Sequence, residues 1–413
     1  TLGATTVICT DKTGTLTKNK MSVVESGFWG VDESLVTDSM AVNSTAVLNT
    51  SETGEPHAIG NPTEGALLLW LQGKGVDYSK RRNAYRIVDQ IAFSTERKRM
   101  TTDAVDTATG KEYLFIKGAP EQLLETSDII AGGQTKESVL ATLALWQSKG
   151  MRTLGFAYRN MSEKDSPTTF FGIVGIADPI REDVRDAINT CSGHAGVRVI
   201  MVTGDNALTA SEIARQAGII SDNETNPLTI TGSEFAAKSD EYLKEEVLPT
   251  LRVLSRARPE DKVRLVTLLQ QMGEVVAVTG DGTNDAPALK KAQVGLSMGD
   301  GTARAKEASD VTIIDNSFSS IGKGILWGRS LYLNIKRFIL FQMTINVCAC
   351  LVVLLGAFIG LDSPLTVTQM LWVNLIMDTF AAIALSSLPP DRRVMEDRPR
   401  DQKSHIIDRS MAK

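Results

Sequence analysis

Two acidic residues stand directly after β-prone runs that lie far apart in the chain. Thr6-Val7-Ile8-Cys9-Thr10 runs into Asp11, and the Thr13-Gly14-Thr15 turn beyond it can aim backbone N–H groups at a phosphate. Val275-Val276-Ala277-Val278 leads through Thr279-Gly280 to Asp281, with Asn284 and Asp285 close behind. An open parallel sheet gathers its ligands beyond the carboxyl ends of its strands, so the two acids can share one site. The chemistry this suits is phosphoryl transfer. Asp11 would attack phosphorus, and Asp281 would hold the Mg²⁺ that neutralises the phosphoryl charge.

Those acids need a sheet to hold them. From about Phe171 to Gly301 strand and helix patterns alternate: Gly172–Pro179 and Val197–Asp205 read as strands, and Pro259-Glu260-Asp261-Lys262 opens a helix running through Leu269. This rhythm predicts an α/β domain, a parallel sheet with helices on both faces. The Asp11 strand belongs to the same sheet, so residues 24–169 become an inserted α+β domain. A chain of 413 residues suggests two or three domains. The net charge of −5 and the lack of a basic patch argue against nucleic acid as a partner. Cys9, Cys191, Cys348 and Cys350 have no metal-ligand spacing and suit a reducing cytosol, and His57, His194 and His405 form no cluster. With no secretory signal and a first residue inside a motif-bearing region, the chain reads as part of a longer protein.

Beyond Phe318 the composition turns apolar. Residues 338–361 carry no charge, and 365–388 are interrupted only by Asp378, so each can span a bilayer as a helix. The Asp362-Ser363-Pro364 link makes them an antiparallel hairpin. Lys336 and Arg337 precede the first span and Arg392 and Arg393 follow the second, which places both flanks, and the catalytic part with them, on the cytoplasmic side. The expected division is residues 1–23 and 170–325 for the phosphorylation domain, 24–169 for the inserted domain, 326–337 for a stalk helix, the two spans, and 389–413 for a cytoplasmic segment.

Asp11-Lys12-Thr13-Gly14-Thr15-Leu16-Thr17, Thr203-Gly204-Asp205 and Gly280-Asp281-Gly282-Thr283-Asn284-Asp285 together resemble the P-type ATPases, cation pumps that form an aspartyl phosphate. The resemblance runs from Thr1 to about Pro399. It implies a haloacid-dehalogenase-like phosphorylation domain in which Asp11 is the nucleophile beside Lys12. Lys262 would offset phosphoryl charge, Thr203 in Thr203-Gly204-Asp205 would hydrogen-bond the phosphoryl oxygens, and Asn284 and Asp285 would orient the groups. Mg²⁺ would sit on Asp281, the Asp11 carboxylate and the Thr13 carbonyl. Related phosphatases usually carry an acid/base Asp two residues after the nucleophile; Thr13 stands there instead, which favours a long-lived phosphoenzyme over simple hydrolysis.

No Gly-x-x-x-x-Gly-Lys-Ser/Thr loop occurs. Gly60–Leu67, Phe93–Lys98 and Lys117–Glu121 are instead similar to the family's nucleotide-domain motifs. By that resemblance Phe93 stacks on the adenine of ATP, Glu64 accepts from its amino group, Lys98 and Lys117 line the pocket, Gly118 permits close approach and Arg152 meets the phosphates. Asp178 and Arg181 match the family's hinge motif. Thr95 replaces an Arg common in its calcium pumps, which leaves one phosphate contact open. In the membrane, Asn374 and Asp378 share a helix face, and Asn346 could face them from the other helix, half of a hard-cation site. The hairpin, with Leu371-Trp372-Val373-Asn374-Leu375-Ile376-Met377-Asp378, resembles plasma-membrane-type calcium pumps. Ala349, where two-site store pumps have Glu, points to one ion. The expected partners are ATP, Ca²⁺, the lipid bilayer, and an actuator domain and further membrane helices. The alternatives are a membrane-anchored phosphatase using the same Asp chemistry, or a pump for Na⁺ or Mn²⁺.

Overall fold

The structure is a computed structural model that describes residues 1–50, 56–94, 96–360, 364–400 and 406. Thr95 and the Asp362-Ser363 link lie outside the described residues. The chain divides into two compact units: Thr1–Leu16, Glu182–Asp205 and Ala214–Lys413 form the first, and Thr17–Arg181 with Asn206–Ile213 the second.

The first unit is built on seven parallel strands in the order Leu228–Thr231, Leu251–Ser255, Arg198–Val202, Val7–Thr10, Val276–Gly280, Val294–Met298, Val311–Ile313. Val7, Ile8, Cys9 and Thr10 are all buried, as a strand covered on both faces requires. Cys9 pairs with Ile200 on one side and Val278 on the other. The strand ending at Asp11 is therefore central, and its neighbours end in the other two acidic loops. The helix Pro259–Gln271 starts with Pro and with the Asp261 carboxylate accepting from the Arg258 N–H at 2.9 Å. Its Leu265, Val266, Leu268 and Leu269 pack into the core under these strands.

The second unit holds an antiparallel sheet in the order Ser22–Phe28, Thr169–Ala177, Arg152–Asn160, Glu112–Gly118, Arg99–Asp106, Tyr85–Ile91. Successive residues serve opposite faces. Phe156 and Phe171 pack with Met40 and Leu67 of the helices Glu33–Val42 and Pro62–Gly73, whereas Ala157 and Phe170 pack with Leu123 and Leu143 of the helices Pro120–Thr126 and Lys136–Ser148. The unit thus has cores of its own on both faces.

This pairing corrects two sequence expectations. Gly172–Pro179, read as opening the parallel α/β segment, falls largely in the strand Thr169–Ala177, which pairs antiparallel with Ser22–Phe28 and Arg152–Asn160. The compact units consequently change over after Leu16 and Arg181 rather than at 23/24 and 169/170. The run misleads because Phe170 to Ile176 is buried on both faces, and a continuous apolar strand looks alike in either kind of sheet. At the crossing the chain pairs with itself: Thr17 bridges Ile180, Thr17 Oγ1 donates to Asp178 Oδ2 at 2.5 Å, the Lys20 N–H donates to Asp178 Oδ1 at 3.1 Å, and Arg181 Nε donates to the Thr17 carbonyl at 3.2 Å.

The stalk and first span form one helix, Phe318–Phe358, and the second span is Val367–Ser386. Both are long and apolar enough to cross a membrane. Asn334 Nδ2 donates to the Leu385 carbonyl at 3.1 Å and ties the two together. Lower in the stalk, the buried Arg329 guanidinium donates to the carbonyls of Gly3, Ala195, Val394 and Asp397 at 2.8–3.3 Å. The Gly3 and Gly328 backbones meet there with no room for a Cβ on either.

Candidate active site and ion site

Asp11 follows the central strand and begins a tight turn, Lys12–Leu16, in which Thr13 is extended and Gly14 has a φ of 69°. Gly14 is required twice over. That φ disfavours any side chain, and a Cβ would run into the Asp281 carboxylate. The turn folds the Lys12 N–H back onto Asp11 Oδ1 at 2.8 Å. Lys262, on the first turns of its helix, reaches Asp11 Oδ2 at 3.3 Å and Asp285 Oδ1 at 2.6 Å. Asp285 is further fixed by the Gly282 N–H at 3.0 Å. Lys12 Nζ meets Asp205 Oδ2 at 2.7 Å, and Thr203 Oγ1 accepts from the Asp205 N–H at 3.2 Å. Thr203 is buried at the end of its strand, while Asn284 is exposed on the acidic loop.

The electrostatics favour a cation. Carboxylate oxygens of Asp11, Asp281 and Asp285 lie within 4.8 Å of one another. With Asp205 that makes four acids against Lys12 and Lys262. Burial pushes the Asp11 carboxyl up to about 6; Lys262 pulls it back, and Asp285 adds to the rise. Burial opposes the Lys262 charge, but Asp11 and Asp285 together hold its pKa above the ordinary lysine value. A divalent ion among these oxygens would relieve the repulsion, and the all-oxygen donor set is of the kind Mg²⁺ takes. The sequence-derived residues Asp11, Lys12, Thr13, Thr203, Gly204, Asp205, Lys262, Asp281, Asn284 and Asp285 thus all lie on turns and helix starts at the carboxyl ends of adjacent strands.

In the second unit Phe93 is 55% exposed, an unusual position for a phenylalanine that only packs. The turn after it is fixed by the Lys98 N–H donating to the Ser94 carbonyl at 2.7 Å, with Lys98 exposed at a φ of 46°. Gly118 lies hard against the Lys98 and Arg99 backbone, so the room it makes is for this neighbouring strand. Arg152 is exposed and donates to Thr63 Oγ1 at 3.2 Å, beside the helix that carries Glu64.

Glu64 and Lys117 differ from a simple pocket lining. Both are about 5% exposed and form an ion pair at 2.9 Å. Glu64 Oε2 also accepts from Ser44 Oγ, Thr45 N–H, Thr45 Oγ1 and Ala46 N–H at 2.7–3.2 Å, and Lys117 Nζ donates to the Asn43 carbonyl. In this structure the Glu64 oxygens are engaged inside the fold rather than presented to an adenine. Burial lowers Lys117 to about 8 despite Glu64, and the partners of Glu64 overcome its own burial to hold its carboxyl below the usual range.

Asn346 lies on the long helix, and Asn374 and Asp378 lie on the second span; all three are half-buried. Asp378 Oδ1 is buried with no hydrogen-bond partner among the described residues. A buried acceptor left unmet costs free energy until a donor or cation reaches it. Sequence reasoning missed Arg329, Asn43 and the Glu64–Lys117 pairing; no local pattern marks them, because their partners come from remote segments.

Comparison with known proteins agrees with this geometry. Residues 33–183 match the family model of the P-type ATPase cytoplasmic domain N, residues 263–325 that of haloacid dehalogenase-like hydrolases, and residues 362–413 that of the cation transporting ATPase C-terminus. The chain belongs to the P-type ATPases. Within them it is 40% identical, over 100% of its length, to the calcium-transporting ATPase PAT1 of Dictyostelium discoideum, covering 41% of that protein. It is 38% identical over 98% of its length to the plasma membrane-type calcium-transporting ATPase 5 of Oryza sativa, again covering 41%. To calcium-transporting ATPase 2 of Schizosaccharomyces pombe it is 40% identical over 97% of its length, covering 36%. The chain therefore spans about two fifths of the length of these curated relatives.

Proposed function

We propose that this chain is the catalytic and partial membrane portion of an ATP-driven Ca²⁺ pump that works through a phosphorylated Asp11. The observation that carries the reading is the convergence of Asp11, Lys262, Asp281 and Asp285 at the ends of adjacent parallel strands. The second unit would bind ATP, with Phe93 under the adenine and Lys98 and Arg152 toward the phosphates. Lys117 would line the pocket from within, held by Glu64, which gives Glu64 a supporting part. The Asp11 carboxylate would attack the γ-phosphorus of ATP, forming an acyl phosphate as the bond from that phosphorus to the β,γ-bridging oxygen breaks and ADP leaves. Lys262 would screen the incoming charge from Asp285, and the Thr203 hydroxyl and the turn amides would donate hydrogen bonds to the phosphoryl oxygens. Asp281, Asp11 and the Thr13 carbonyl would hold Mg²⁺, which when bound neutralises negative charge on the phosphoryl group. Because Thr13 supplies no base, hydrolysis would wait for a group outside this chain, and the phosphoenzyme would persist.

Asn346, Asn374 and Asp378 would supply oxygens to the transported ion, with the unmet Asp378 Oδ1 as the supporting observation. The strand pairing around Asp178 and Arg181 would serve as the hinge, and the catalytic units would lie on the cytoplasmic side. The remaining ion ligands and the actuator would come from parts that the longer relatives carry. The test is ATP-dependent ⁴⁵Ca²⁺ uptake into vesicles by the complete pump. Uptake should vanish in Asp11→Asn and in Asp378→Asn. Uptake of Mn²⁺ or Na⁺ with no response to Ca²⁺ would overturn the ion assignment.

A further inference from the structure

Asp183 makes contacts that phosphoryl transfer does not use. It lies two residues past Arg181, where the chain leaves the Thr17/Ile180 bridge and enters the first unit. Its Oδ2 accepts from Ser317 Oγ, and from the Ser319 backbone N–H at 3.4 Å. Ser317 is the N-cap of the helix Phe318–Phe358, and its own hydroxyl accepts from the same Ser319 N–H at 3.2 Å. A carboxylate from 134 residues away thus closes the start of the longest helix in the chain. Burial pushes the Asp183 carboxyl up, but the hydrogen bonds from Ser317 and Ser319 outweigh it and hold it below the usual range. The short helix Val184–Asn189, which follows Asp183, packs along the long helix.

The long helix contains no proline and runs without interruption to Asn346. At 1.5 Å per residue, its first turn stands roughly 42 Å from that residue along one rigid element. Arg329 anchors it partway, on carbonyls from the N-terminal turn, the Ala195 loop and the segment beyond the second span. The Asp183 cap and the Arg329 anchor are thus two of the points that hold this helix, and the cap is the one at its first turn.

We propose that Asp183 is a positioning residue that joins the exit of the two-strand crossing to the first turn of the helix carrying Asn346, so that displacement of the crossing is delivered to the ion site. The proposal rests on the reading of the chain as part of a pump. It assigns to one carboxylate the link between the nucleotide-binding unit's connecting strands and the membrane.

The test uses the complete pump with Asp183→Ala and Asp183→Asn. Asp183→Ala should still be phosphorylated on Asp11 by inorganic phosphate without Ca²⁺, which reports an intact fold and site. Its phosphoenzyme formed from ATP and Ca²⁺ should convert to the phosphate-releasing form at least about five-fold more slowly, the lower end of ordinary coupling between sites. Asp183→Asn keeps an acceptor oxygen for Ser317 and Ser319 and should recover most of that rate. Wild-type conversion in Asp183→Ala would overturn the proposal. So would a loss confined to the number of phosphorylatable pumps with unchanged kinetics, since the contact would then be a simple helix cap. If wild type itself fails to phosphorylate Asp11, the pump reading has failed instead.

Discussion

Removing the Glu64 carboxylate should destabilise the nucleotide-binding unit more than any surface change, and the structure sets the scale. Glu64 meets Lys117 at 2.9 Å with both groups about 5% exposed. Two unit charges at that distance attract by about 6 kcal/mol at an effective dielectric of 20, most of it offset by desolvation. Glu64→Ala, however, leaves the Lys117 ammonium buried and strips a shared acceptor from Ser44, Thr45 and Ala46. Breaking a buried pair this way costs about 3–5 kcal/mol. For a unit of this size that lowers the melting temperature by roughly 6–20 °C. Thermal unfolding of the Thr17–Arg181 unit, which has its own cores, measures it. The pH dependence gives a sharper check. Lys117 in the wild type sits at about 8, below its unfolded value, so its folded state gains stability as pH rises through 8. Without Glu64, whose charge raises that value, the gain begins at lower pH. The gap between variant and wild type should narrow as pH rises toward 8, by at most a factor of ten in the folding constant per pH unit. Replacing both residues together, Glu64→Leu with Lys117→Met, should recover much of the loss. A melting temperature unchanged by Glu64→Ala, or a gap that widens toward pH 8, would refute the reasoning.

Phe93→Ala should weaken ATP binding by about 1–3 kcal/mol through lost base stacking, and because the ring is 55% exposed the unit's melting temperature should hold; calorimetric titration separates the two. Lys262→Met should slow phosphorylation of Asp11 by about 10²–10³, the cost of one charge-stabilising group, as read by quenched-flow labelling. Arg329→Ala leaves carbonyls of Gly3, Ala195, Val394 and Asp397 without their donor. Hydrogen exchange in the Leu2–Ala4 turn should speed up, and Arg329→Lys should restore little, because an ammonium lacks the planar fork.

The clustering of Asp11, Asp281 and Asp285 was legible because its parts are local. An apolar strand ending in an acid can be read at Val7–Asp11 and again at Val276–Asp281, and a parallel sheet brings such ends together. Lys262 was legible as a cation at a proline-started helix. The spans showed in composition alone, although stalk and first span proved to be one helix. The edges of the insertion were not legible, since Thr169–Ala177 is apolar on both faces and nothing in it names its neighbours. Nor was the Glu64–Lys117 pair, whose members are remote in sequence and meet only through sheet register. Arg329 and Asp183 were hidden for the same reason: their partners are backbone groups and serines that any sequence supplies.

The account stands on Asp11 becoming an acyl phosphate. The direct measurement is to give the complete pump γ-labelled ATP with Mg²⁺ and Ca²⁺, quench in acid, and locate the label by peptide mapping. The label should be acid-stable, released by hydroxylamine, confined to the peptide containing Asp11 and missing from Asp11→Asn. Label on another residue, or label that persists in Asp11→Asn, would contradict the account.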